Sequence, residues 1–144
     1  MTLLRSDRER LTRSVELDAA PAEVWDALTD DSLLGEWLAD EVELEPEPGG
    51  EIVCRYADGE ERRGEVELVE EAERLAWRWR RESGGPSRVE LVLDAVGDRT
   101  RLTVSETVPF ETPGPPLSAG PASIAAPWAL PLARLAVTVR LVLA

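Results

Sequence analysis

The sequence contains no histidine, lysine, asparagine or glutamine, and only one cysteine, one methionine, one tyrosine and one phenylalanine. Without histidine there is no imidazole base, no His-dependent triad and no imidazole metal ligand. Without lysine there is no Schiff-base chemistry and no phosphate-loop ammonium. The lone Cys54 excludes an internal disulfide and a thiolate zinc cage, and it fits a reducing compartment. No metal and no cofactor are expected. Positive charge is also scarce: 16 bases, every one an arginine, stand against 29 acids, for a net charge of -13. That balance argues against a nucleic-acid groove and against docking on anionic lipid. The N-terminal stretch MTLLRSDRERLTR has no apolar run of signal-peptide length. Residues 124–144 are apolar, but Arg134 and Arg140 interrupt them and Pro127 and Pro131 sit in their first half. A spanning helix needs about 20 apolar residues, so this tail reads as a buried or groove-covering segment in a cytoplasmic protein.

The remainder suits one ordinary domain over residues 1–144, with 43% hydrophobic residues to build a core. Residues 11–18 alternate, placing Leu11, Arg13, Val15 and Leu17 on one face of a strand. Pro21 then opens a helix carrying Val24, Trp25 and Leu28, with Glu23 near its positive end. Asp30 or Asp31 can cap a second short helix with Leu33, Leu34, Trp37 and Leu38 in one stripe. From residue 40 the period is two, in a meander of six antiparallel strands. Turns are marked by Pro48-Gly49-Gly50, Asp58-Gly59, Ser83-Gly84-Gly85-Pro86 and Gly97-Asp98. The inner face so defined carries Ile52, Cys54 and Tyr56; Arg62, Gly64, Val66 and Leu68; Leu75, Trp77 and Trp79; Val89, Leu91 and Leu93; and Leu102, Val104 and Glu106. Parity requires opposite residues across the Asp58-Gly59 turn to sum to an even number. A three-residue loop over residues 58–60 satisfies this and sets Tyr56 beside Arg62. Residues 109–121 form a Pro/Gly-rich connector. The tail carries Trp128, Leu132, Leu135, Val139 and Val142 at helical spacing, although its Val-rich end also suits a strand. Each interior proline costs about 3 kcal/mol of helix, so regular helix is expected mainly after Pro131.

The order of strand, two short helices, six-strand meander and C-terminal helix resembles the α+β helix-grip fold of the START-like (SRPBCC) superfamily. SVELDAAPAEVWDALTD, LLGEWL, the Pro-Gly-Gly turn, the Gly-x-Val strand, the Leu-x-x-x-Trp strand and RVELVLDAVGDRTRLTVSET follow in order over residues 14–107. Together they resemble the family of homologues of the heat-shock-protein-90 ATPase activator. The likeness weakens after Phe110, where the tail is more apolar than the family's usual closing helix. The resemblance implies a curved antiparallel sheet of about seven strands with the C-terminal helix across its concave face. It also implies an apolar cavity between them. Some members of the superfamily bind lipids or polyketides, and some catalyse cyclisation. The co-chaperone role belongs to larger proteins with a second domain.

Under that fold the polar exceptions on the inner face are informative. Tyr56 and Arg62 place a phenol and a guanidinium at one end of a cavity, where they can orient a carboxylate, phenolate or carbonyl. Glu106 is the available proton carrier. Trp37, Trp77, Trp79 and Trp128 supply aromatic wall, or equally plain core filling. Arg13 and Glu106 can pair across the first and last strands, and Cys54 reads as an inert buried thiol. Outward acids, Glu65 and Glu67 against Arg78 and Arg80 with Glu90 on the next strand, read as cross-strand ion pairs. The leading expectation is a domain that binds a small, largely apolar or amphipathic molecule with one polar end, through Trp37, Tyr56, Arg62, Trp77, Trp79, Glu106 and Trp128. Composition points to binding rather than to a conventional enzyme. A co-chaperone-like interaction module and a polyketide-cyclase-like enzyme are the other two readings. Apolar surface left over on the tail would serve a homodimer.

Overall fold

A computed structural model describes residues 8–81, 86–109 and 120–143. The chain runs β1 (Arg8–Leu17), α1 (Pro21–Thr29), α2 (Asp31–Trp37), β2 (Glu41–Leu44), β3 (Glu51–Arg55), β4 (Glu61–Glu70), β5 (Arg74–Arg81), β6 (Pro86–Val96), β7 (Arg99–Pro109) and α3 (Gly120–Leu143). The seven strands form one curved antiparallel sheet in the order β1-β7-β6-β5-β4-β3-β2. The meander β2 to β7 therefore lies in sequence order, and β1 closes beside β7. The Ser83-Gly84-Gly85 turn and most of the connector before α3 lie outside the described residues, as does the N-terminal stretch before Arg8.

Local chemistry explains the two short helices. Pro21 fills the first position of α1, and the Glu23 carboxylate accepts the Ala20 backbone N–H at 3.2 Å. Asp30 caps α2, its Oδ1 accepting the N–H groups of Ser32 (2.9 Å) and Leu33 (3.3 Å). The Ser32 hydroxyl and these amides hold the Asp30 carboxyl below its ordinary pKa. The helices bury Val24, Trp25, Leu28, Leu34 and Trp37, and the Thr100 hydroxyl ties the segment before α1 to β7 by donating to the Ala19 carbonyl at 2.7 Å.

Three sheet details differ from the sequence reading. The β3–β4 register does have even sums, but it is shifted by two: Cys54, not Tyr56, lies opposite Arg62. The loop closes through Tyr56 N–H to the Glu60 carbonyl, with Gly59 at φ +94°; glycine tolerates that left-handed angle without strain. A bulge between Val66 and Leu68 turns Leu68 to the outer face opposite Ala76, while Val69 takes the inward place opposite Leu75. Lastly, β1 sets Leu11 opposite Glu106 and Arg13 opposite Val104, and Arg13 is exposed. The expected Arg13–Glu106 pair does not form, because the register sets Leu11 and not Arg13 opposite Glu106, whose oxygens accept from Trp79, Ser87 and Trp128 instead.

The tail is helix throughout its described length. It begins at Gly120 and continues through Pro127 and Pro131, which corrects both the strand alternative and the expected late start. Cover for the sheet supplies the physical reason. Trp128, Leu132, Leu135 and Val139 are buried on one face of α3, and four large apolar side chains at about 1.5–3 kcal/mol each outweigh the prolines' cost. The side chain of Val142 is outside the described residues. The other face leaves Leu130 and Val137 exposed. No described helix is long and apolar enough to cross a membrane.

Gly64 marks the tightest approach of β4 to β5. A Cβ there would fall on the Arg78 carbonyl oxygen and within 2.6 Å of Trp79 Cα. Gly64→Ala should cost about 1–3 kcal/mol through forced backbone movement, measured by urea unfolding; an unchanged midpoint would show that the strands have room to part.

Candidate functional site

Antiparallel register brings the start of β4, the end of β5, the start of β6 and the end of β7 to one end of the concave face. That end carries the polar side chains Arg62, Trp79, Ser87 and Glu106. The opposite end, with Val69, Leu75, Leu93 and Leu102, is apolar. This division follows from the chain's alternation and from strand direction.

Glu106 is the centre of the polar end and is only 9% exposed. Its Oε2 accepts from the Ser87 hydroxyl at 2.6 Å and from Trp79 Nε1 at 3.4 Å, while Oε1 accepts from Trp128 Nε1 at 2.8 Å. Trp79 Nε1 also reaches Ser87 Oγ at 3.1 Å. One carboxylate thus joins β5, β6, β7 and α3. The indoles of Trp79 and Trp128 stack with centroids 6.5 Å apart at 21°, and Trp77 meets Trp79 edge-on at 5.4 Å.

Arg62 enters this group from β4. Its guanidinium carbon lies 4.9 Å from the Trp79 ring centroid and 5.4 Å from that of Tyr56, between the two aromatic residues. The side chain is 13% exposed, and Glu60 Oε2 stands 3.6 Å from its Nε, too far for a hydrogen bond. Burial raises the Tyr56 phenol above its ordinary pKa, against the pull of the Arg62 charge. Burial also pushes the Cys54 thiol up to about 12, again opposed by Arg62, so Cys54 is held as a neutral thiol.

The structure brings Tyr56, Arg62, Trp77, Trp79, Glu106 and Trp128 into one cluster. Trp37 makes no ring contact with them among the described residues, and its indole N–H is spent on the Ala27 carbonyl at 2.9 Å. Ser87 was missed by the sequence reading, which began the inward row of this strand at Val89. The signal was present, because Ser87 shares the parity of Val89, Leu91 and Leu93 and is the polar exception in that row. Two described pockets flank the sheet. One of about 320 Å³ lies at the β3–β4 hairpin and is lined by Tyr56, Asp40, Arg55 and Glu60 among others. A groove of about 870 Å³ lies on the outer face among Glu51, Arg63, Glu65, Glu67, Arg78 and Arg80. On that face Glu67 bridges Arg78 (3.4 Å) and Arg88 (2.7 Å), and Glu90 bridges Arg74 and Arg88. No group of three or more acidic or cysteine side chains that could hold a metal occurs among the described residues.

Removing the Glu106 carboxylate strands the donors of Trp79, Trp128 and Ser87. Glu106→Leu should lose about 1–3 kcal/mol per orphaned buried donor in urea unfolding, and its cost combined with Trp128→Phe should be less than additive. Additive costs would show that the two side chains act independently. Cys54 should resist iodoacetamide at pH 8 in the folded protein and react readily in denaturant; labelling of the folded protein at the rate of a free thiol would contradict its burial.

The comparisons with known proteins agree with this architecture. DynU16, a protein in the dynemicin biosynthetic locus, shares 28% identity at a TM-score of 0.79, over 91% of this chain and 47% of its own; this chain spans about half of that protein's length. MLL2253 from Mesorhizobium loti aligns at a TM-score of 0.81 with 19% identity, over 93% of this chain and 98% of its own. The Aha1 dimer from Colwellia psychrerythraea aligns at 0.71 with 17% identity, over 88% and 92%. These last two likenesses show the fold. No curated protein matches the chain. The model of the family described as "Activator of Hsp90 ATPase homolog 1-like protein" matches residues 18–139, and with that match across nearly the whole helix-grip domain, the chain belongs to the Activator of Hsp90 ATPase homolog 1-like family of the SRPBCC superfamily.

Proposed function

We propose that this domain binds a small, largely apolar molecule with one polar end, at the concave-face cluster of Tyr56, Arg62, Trp79, Glu106 and Trp128. The observation that carries the reading is Arg62: a guanidinium mostly withdrawn from water and laid between aromatic rings, whose buried Nε has no hydrogen-bond partner and meets its ion-pair partner Glu60 only at 3.6 Å. A core built for stability alone gains little from such a charge, since withdrawing it from water is costly and a 3.6 Å ion pair without a hydrogen bond offsets that cost only in part. The stacked indoles provide the apolar wall, and the polar residues gather at one end, as orientation of an amphipathic ligand requires. Catalysis is not needed in this reading. Both Glu106 oxygens already accept hydrogen bonds, so the carboxylate serves as an anchor and not as a free base.

A second reading has its own support. Trp77 is fully buried, and Trp79 and Trp128 are 3% and 4% exposed, so the indoles seal much of the concave face. A surface-acting interaction module would look the same there. Its outer contacts would include Leu130 and Val137 of α3, which also suit a homodimer. Native mass spectrometry of the purified protein separates the two. The ligand reading expects a retained mass above that of the chain, lost in Arg62→Met. A protein that retains nothing, and whose tryptophan emission is unmoved by apolar aromatic compounds, would favour the surface module.

A further inference from the structure

We infer that β1 is a self-association edge: two copies of this chain pair antiparallel along it, about a two-fold axis at Leu11, with Arg13 of each copy facing Glu9 of the other. The sheet has two outer strands, β1 and β2. β2 is four residues long and carries Glu41 and Glu43, both ion-paired with Arg55. Short, charged edges resist pairing. β1 runs ten residues, has no proline, and holds an unbroken register against β7 from Arg8 to Leu17. Every second residue of such a strand turns its N–H and C=O away from its neighbour. No strand receives those groups among the described residues. The chain's excess of acid lies elsewhere: its net charge is -13, yet β1 holds Arg8, Arg10 and Arg13 against Glu9 and Glu16.

Arg13 selects the partner and the register. It shares the concave face of β1 with Leu11, Val15 and Leu17, which are half-buried or buried, but it is itself exposed and has no ion-pair partner among the described residues. A charge on that face of an edge strand bars pairing with any strand that offers it no acid. A two-fold axis normal to the sheet keeps both concave faces on one side, so facing positions must sum to an even number. Of the two acids in β1, Glu16 has the wrong parity to face Arg13 and Glu9 has the right one. A pairing centred on Arg13 sets like charges together. One centred on Thr12 or Ser14 sets Arg13 against Leu11 or Val15. Within β1, only the pairing centred on Leu11 places Arg13 opposite Glu9, and symmetry supplies that pair twice. The same register overlaps residues 8–14 of both copies and sets Leu11 opposite its own counterpart. Opposite charges that face each other across strands stabilise the pair, and like charges destabilise it.

Sedimentation velocity of the intact chain over a wide concentration range should show a monomer–dimer equilibrium. Glu9→Arg and Arg13→Glu should each weaken the dimer roughly ten-fold, and the two together should restore it, because the exchanged charges face each other again. Circular dichroism checks that each variant is folded. Register is read separately by single cysteines in a Cys54→Ala background under mild oxidation. Directly facing Cα atoms in an antiparallel pair lie about 4.5–5.5 Å apart, within disulfide reach. Leu11→Cys should therefore form a linked dimer quickly, and Thr12→Cys and Arg13→Cys should do so slowly. A monomer at every concentration overturns the inference. So does a dimer that ignores both charge reversals but is lost in Leu130→Glu, which would place the interface on α3. Faster linking at position 12 or 13 than at 11, or no recovery in the double charge exchange, overturns the register.

Discussion

The Glu106 carboxylate is the constraint on which the covered side of the sheet depends. Taking a carboxylate out of water is expensive unless its oxygens are fully engaged. Here the engagement comes from three other elements, through Trp79 on β5, Ser87 on β6 and Trp128 on α3. The remaining cover, Leu132, Leu135 and Val139, is apolar, and apolar burial is not directional. Apolar contacts alone would let α3 slide along the sheet. A 2.8 Å hydrogen bond from an indole to a fixed carboxylate gives the helix one position and one rotation.

The same residues give the concave face its polarity along the strands. Leu75, Leu93, Leu102 and Val69 fill one end, while Arg62, Ser87 and Glu106 occupy the other. On the outer face the charges follow another logic. Arg55 meets Glu41, Glu43 and Glu61, and Arg63 meets Glu51 and Glu61. Each exposed pair is worth little by itself. Their arrangement matters more: arginine is the chain's sole cationic residue type, and much of it is spent neutralising neighbours across strands. Arg62 is instead turned inward by strand alternation, against the rings of Tyr56 and Trp79.

Much of this was legible in the sequence, because period and turn chemistry are local. Alternation located all seven strands and assigned their inner faces, and Pro21 and Asp30 marked the helices. What failed was long-range or irregular. Nothing near Val66 announces the bulge that sends Leu68 outward, since a bulge is one residue too many in a strand whose composition stays ordinary. The Arg13–Glu106 pairing failed on register: parity says which face a residue takes, but not which partner it meets. The shift at Arg62 has the same origin, since two hairpins differing by two residues have identical parity. Tyr56 and Arg62 still come together because a guanidinium reaches diagonally as well as directly across. The clamp on Glu106 was half visible: its members share the inner face by parity, but a hydrogen-bond network is a property of three-dimensional placement.

Helix α3 shows how cover can override local preference. Its prolines are set against regular helix at Pro127 and Pro131, yet the helix continues because the sheet beneath offers Val66, Trp77, Val89, Leu91 and Leu102, all buried. Proline removes a backbone N–H and crowds the preceding turn; it does not prevent a helix whose side chains are worth more packed than free. Trp128 stands between the two prolines, one residue after the first. There the local backbone is least favourable to regular helix, and the side chain makes α3's hydrogen bond to Glu106. The polar contact is thus made where propensity is weakest, and the apolar contacts follow where the helix is free of proline. Alignment of α3 then rests on Glu106, and its adhesion on the leucines and valines beyond.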